Sequence, residues 1–397
     1  MEDHTLLTRL ALERAFPADR VTEAVPFARF LADHGADLVE YLTTTAEAEA
    51  VEPAAAATPT TPGAFARFLR MNPLYEPRLY VKIVPGGDAL IRGAGVAAAL
   101  TRSRIPPDRS LEFDEIASAP FPYPYAVFRR VEPGETLSAL DVIASASDEP
   151  DYGMDLGLFD DNGTEWGREY GFGSQPFGDP RNLATSQAPF HMAFFHESPV
   201  VYRFAPALSR PLVLLRVRQF SALARFALDR GQDYWGHRFA GWALHYVQDL
   251  TMPYHVSALP GKSVAAIVTL GILRATGIAG PYEWAIRDVT EKHVRLERLL
   301  LDALYSEGSG DLVRALAPDL AVSGAVQPGA GYPGGEFDPD HLSGVVSARA
   351  AALGSTADRA LDRAESDPGL LREVFTTMLT ETGRVTRAFT AWCISDR

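Results

Sequence analysis

Two residue pairs in this 397-residue chain have the types and spacing to hold a metal ion. His245 and Asp249 stand four apart in YWGHRFAGWALHYVQDLTMPYH, and His293 and Glu297 stand four apart in TEKHVRLERLL. Residues four apart on a helix lie one turn above each other, so an imidazole and a carboxylate can reach one ion. Gly241, one turn before His245, leaves that face open for something bulky. Pro253 cannot continue the helix, and His255 follows on the turn beyond it. Further donors come from His4 near the start, from an acidic, turn-rich loop with Asp148, Asp151 and Asp155, and from His191 and His196 in PFHMAFFHE. The blander alternative is a core helix with satisfied histidines, since an HxxxD alone makes no site.

The order of these residues resembles the zinc-dependent phospholipase C family, whose fold relatives are the S1/P1-type nucleases. An early His, a loop Asp, a His before a helical stretch, HxxxD, a His six further on and a final HxxxE follow one another. GWALHYVQDLTMPYH fits that family's ligand helix position by position. The likeness touches points along most of residues 1–300 and is dense over 220–255. It implies an all-α, multi-helix bundle and two or three zinc ions. Asp249 would bridge two of them. One zinc would also take His245, Asp151 and either His191 or His196; a second would take His255, His293 and Glu297; a third would take His4 with the N-terminal amine and carbonyl. Asp151 would also be the general base, with Asp148 and Asp155 as alternatives. The family's processed N-terminal Trp has no counterpart here, because Met1 stands three residues before His4. That leaves the third metal position altered or missing.

The resemblance implies metal-activated hydrolysis of a phosphodiester, with phospholipid head-groups as the first substrate class. An S1/P1-type nuclease, or a non-catalytic helical protein with a structural or decayed zinc cluster, are the alternatives. The family's lipase branch ends its ligand set with His and Glu, as HVRLE does, and its nuclease branch with His and Asp. A net charge of −14 opposes a phosphate backbone over the surface as a whole, which makes nucleic acid the lesser partner. The single cysteine, Cys393, excludes an internal disulfide framework, so metal donors must be His, Asp and Glu. No GxSxG elbow suggests a serine hydrolase. The N-terminal segment is charged throughout, without a signal peptide's apolar stretch, which favours the cytoplasm although the family is mostly secreted.

Positioning such a cluster takes several helices. A hydrophobic content of 47% supports a large core. The pattern predicts two helices over 4–44, a long amphipathic helix over 209–230 closed by Gly231, the ligand helix over 234–250, and the HxxxE helix over 282–306. Residues 45–147 form a loop-rich insertion: an Ala/Thr/Pro-rich loop, then short helices mixed with extended Pro-rich pieces that elaborate the surface. The apolar segment 262–280 reads either as a buried helix or hairpin beside the site or as a lip that touches a membrane surface; it is too short to span one. After 306 come a short helix, a Gly/Pro-rich loop and two more helices over 340–392. The expected organisation is a catalytic helical domain over 1–306 with a C-terminal helical extension, 307–397, packed on it. That extension lacks the strands of an appended β-sandwich.

Overall fold

The computed structural model describes residues 3–17, 19–44, 59–92, 105–117, 127–317 and 341–394. The low-complexity loop, the Gly/Pro-rich loop after 317 and the Met1 amine lie outside these residues. The described chain is mainly α-helical, as its 3.6-residue periodicity predicts. Its helices are α1 (His4–Leu12), α2 (Phe27–Thr44), α3 (Pro62–Phe68), α4 (Gly87–Ile91), α5 (Ala139–Ala146), α6 (Glu165–Tyr170), α7 (Ala188–His191) and α8 (Pro199–Phe204). Then follow α9 (Val213–Leu228), α10 (Asp233–Asp249), α11 (Pro253–Val256), α12 (Val264–Ala275), α13 (Gly280–Tyr305), α14 (Gly310–Leu316), α15 (Ser347–Asp362) and α16 (Pro368–Ile394). Five short strands make two antiparallel sheets: β1 (Val21–Glu23) with β5 (Thr136–Ser138), and β2 (Tyr80–Lys82) with β4 (Phe128–Arg130), which also pairs β3 (Ser110–Leu111).

α10 is the axis. Of its 17 residues, 16 are buried, so it has no solvent face and must be wrapped on all sides. α9 packs along it, and α5 and α16 cross it. Gly241 permits the α5 crossing. A Cβ there would lie 2.5 Å from the Ile143 carbonyl oxygen and 2.6 Å from the Ala146 Cβ. The bulky neighbour that Gly241 admits is therefore the backbone of α5. α10 stops at Asp249, and Pro253 opens the next helix, since it occupies the first turn of α11, where a missing N–H costs nothing.

Two apolar cores meet at the end of α10. Tyr246, Val247 and Val256 belong to one, with α2 and α9. Leu6, Met252, Tyr254 and Leu296 belong to the other, with α14 and α16. The histidine-rich cluster lies on that seam. α12 departs from the buried reading of 262–280, because none of its twelve residues is buried.

Candidate metal centre

Asp249 ends α10 with its side chain fully enclosed and four imidazoles around it. Oδ1 lies 3.5 Å from His4 Nε2 and 3.3 Å from His255 Nδ1. Oδ2 lies 3.0 Å from His191 Nδ1 and 3.4 Å from His245 Nε2. Each oxygen thus faces a different pair of rings, the arrangement a bridging carboxylate needs. Asp151 adds a second carboxylate, its Oδ1 3.7 Å from His191 Nδ1 and 3.6 Å from His245 Nε2. Beyond His255, Glu297 Oε1 is 3.2 Å from His255 Nε2 and 3.0 Å from His293 Nε2.

The far side of each ring fixes what the near side presents. His4 Nδ1–H donates to Gln248 Oε1 at 2.9 Å, His245 Nδ1–H to the Ser147 carbonyl at 2.8 Å, and His255 Nδ1–H to the His191 carbonyl at 3.0 Å. With those protons committed, Nε2 of His4, His245 and His255 carries a lone pair directed at carboxylate oxygens. Acceptors facing acceptors repel unless positive charge lies between them. His4 Nε2 has no hydrogen-bond partner among the described residues.

Among the described residues, three groups each bring their donor atoms within 4.8 Å of one another: His4, Asp151 and His245; His191, His245 and Asp249; His255, His293 and Glu297. Zinc–ligand bonds of about 2.0–2.2 Å put two donors of one tetrahedral ion about 3.3–3.6 Å apart. The observed separations of 2.9–3.6 Å around His245 cover that span. Imidazole and carboxylate without thiolate suit zinc in a hydrolytic site. The residues present fit the metal.

Burial and charge divide the rings. Burial lowers the pKa of His4, His245 and His293, keeping them neutral. Burial works against charge on His191 too, but the Asp155, Asp249 and Asp151 carboxylates outweigh it and raise that imidazole to about 10. Burial would also raise Asp249, yet His255 and His245 keep it well below the usual carboxylate range. In the metal-free chain a proton on His191 therefore supplies the missing positive charge.

The loop aspartates part company. Asp148 is turned away: its Oδ2 accepts from Thr5 Oγ1 at 2.6 Å and from Lys82 Nζ at 2.5 Å. Asp155 accepts from Arg216 Nε at 2.9 Å and Tyr246 O–H at 2.6 Å, and its Oδ2 stands 3.5 Å behind His191 Nε2. Asp151 is the one of the three whose carboxylate lies beside both His191 and His245. His196 is placed elsewhere. α7 ends at His191, the chain runs extended through Met192, and His196 Nε2 shares a hydrogen bond with Ser347 Oγ at 2.8 Å on another side of the fold.

Supporting residues were not evident in the sequence. Lys82, within the segment read as surface insertion, is buried and links Asp148 to Asp3, whose Oδ1 lies 2.9 Å away and also caps α1 at Leu6 N. Gln248, beside Asp249, donates from Nε2 to Thr8 Oγ1 at 2.9 Å and Thr386 Oγ1 at 3.0 Å. Its amide is thereby oriented with Oε1 toward His4. Only Gln248 carried a signal, its position one turn from His245 on the ligand helix; the tertiary partners carried none.

No protein-family model matches the chain, and no curated protein matches it. Among solved structures, the crystal structure of Clostridium perfringens alpha-toxin isolated from avian strain SWCP is similar at 13% identity and a TM-score of 0.25, covering 77% of this chain and 65% of the toxin chain. Part of the toxin's length thus has no counterpart here, and a superposition that loose does not bear on the site.

Proposed function

We propose that this chain is a zinc-dependent phosphodiesterase of phospholipase C type, acting on phospholipid head-groups. The observation that carries the reading is the set of three imidazoles anchored through Nδ1–H, of which His4 and His245 turn Nε2 toward the two oxygens of Asp249 and His255 turns Nε2 toward Glu297. His245, Asp249, Asp151 and His191 are assigned to one ion, and His255, His293 and Glu297 to another with Asp249 between. His4 is assigned to a third position beside Asp151. Divalent ions held there would lower the pKa of a water and offset charge on the phosphoryl oxygens.

The chain's own residues supply the rest. His4, His245 and Asp249 form a closed floor with fully buried side chains, whereas Asp151 and His293 are 21% and 17% exposed and mark the open side. A substrate phosphate enters there, and Asp151 is the carboxylate at that mouth able to take a proton from water. Asp155 behind His191 and Ser147 behind His245 keep both rings aimed. A purely structural site closes with four ligands and does not need this many donors.

Elemental analysis of protein purified without chelator tests the reading, for the wild type and Asp249→Asn. The expected result is two to three zincs per chain, mostly lost in the variant, with phosphodiester hydrolysis lost alongside. One zinc or none in the wild type sinks the catalytic cluster. Hydrolysis of single-stranded DNA in preference to phosphatidylcholine would move the chain to the nuclease side.

A further inference from the structure

Among the described residues, the apolar hairpin built by α12 and the first turns of α13 packs against α8 and otherwise stays largely uncovered. α12 is apolar except for Thr269 and Arg274 and yet buries none of its residues. A helix apolar all round belongs in a core or against lipid. Val264, Ile272, Ile278, Trp284 and Ile286 are all exposed, and Phe204 of α8 joins them. Phe204 packs on α12 at Gly271, where a Cβ would stand 3.5 Å from the Phe204 Cβ. Scattered exposed hydrophobics are ordinary, but six large ones gathered on one hairpin and the helix end packed against it are not.

Charge narrows what covers it. The chain as a whole is −14, but this corner is the reverse. Residues 198–212 contain Arg203 and Arg210 and no acidic residue; residues 261–287 contain Lys262, Arg274 and Arg287 against Glu283 alone. The Lys262 ammonium lies 5.5 Å from the Trp284 ring centre and the Arg274 guanidinium 4.4 Å from that of Tyr282. Aromatic rings flanked by cations and backed by aliphatic side chains are the composition of an interfacial helix that sinks into the head-group boundary. Among the described residues no helix is long and apolar enough to cross a membrane, so the hairpin would lie on a bilayer and not span it. Trp284 precedes His293 by nine residues of one helix, about 14 Å of rise.

We infer that the α12–α13 hairpin is a docking surface for a lipid bilayer carrying anionic head-groups. The inference rests on the proposed phospholipid substrate only for its purpose, since docking is read by binding alone. The full chain is sedimented with sucrose-loaded vesicles of phosphatidylcholine and phosphatidylglycerol in a 7:3 ratio, in the presence of chelator so that no hydrolysis occurs. The expected result is binding that weakens at least tenfold in I272S/W284S and again in K262E/R274E, and that falls with salt, while the helical circular dichroism of both variants is retained. Absence of vesicle binding by the wild type overturns docking and leaves the zinc analysis untouched. So does unweakened binding by the two variants. A wild type that sediments as a dimer, with I272S/W284S monomeric, assigns the face to a second copy of this chain and likewise overturns it. Loss of zinc in Asp249→Asn with vesicle binding intact would separate the two readings.

Discussion

On the proposed zinc reading, His191 is a ligand that must lose a proton before it can bind. Its imidazole is raised to about 10, so near neutral pH it is protonated, whereas His4 and His245 are already neutral. The proton must leave before Nδ1 can act as a ligand. Zinc affinity should accordingly rise about tenfold per pH unit from neutrality and flatten near pH 10. Zinc titration calorimetry at pH 8, in buffers of different ionisation enthalpy, should show about one proton released from this ring; no release would contradict the charge assignment. In the metal-free chain the same raised pKa contributes stability that is complete below the unfolded value of about 6.5 and is lost as pH rises through about 10. Asp155 runs the other way. Burial would raise it, but Arg216 and His191 lower it to about 2, so its contribution is present above about 3.8 and is lost as pH falls toward 2.

At the level of the elements, the ligand spacing depends on how closely α5 and α10 cross. Gly241→Ala would put a methyl into the Ile143 carbonyl and Ala146, and α5 would have to retreat. Because α5 runs directly into Ser147, whose carbonyl orients His245, the variant should lose about 1–3 kcal/mol of stability. It should also bind zinc more weakly, which urea melts and zinc titration on one sample would show. A stability loss with unchanged zinc affinity would mean that Ser147 moves independently of the crossing. The helical pairs are legible in sequence because an interval of four is a local property: His245 with Asp249 and His293 with Glu297 needed only a helix. Asp151 is not legible in that way, since Asp148, Asp151 and Asp155 share one acidic loop and only Lys82 and Arg216, distant in sequence, draw two of them aside. For the same reason 262–280 could be read as buried. Its composition resembles a core helix, and exposure is decided by what the rest of the chain leaves uncovered.

Across the whole molecule, metal and fold should be linked. An ion that binds only the folded chain adds about 2.7 kcal/mol per site when its concentration is a hundred times its dissociation constant. Two filled sites then add about 5 kcal/mol, and chelation should lower the melting temperature of the wild type by several degrees while leaving Asp249→Asn nearly unmoved. An equal response of both proteins would place the bound metal away from Asp249. The link extends into the C-terminal helices: α16 supplies Thr386 to Gln248, and Gln248 holds His4.

That relay sets the order in which the site can come into being. Its candidate ligand residues run from position 4 to position 297, and the hydroxyl that holds the Gln248 amide against the first of them sits at position 386. Contacts across such separations close late in folding, after the local helices have formed. On the ribosome, the imidazole at position 4 would wait for the residues through position 386 to emerge before its hydrogen-bonding partner was itself secured. Zinc uptake would then be a clock for the last step of maturation, and a zinc-sensitive dye added during refolding would time the arrival of α16 more directly than any measure of helix content.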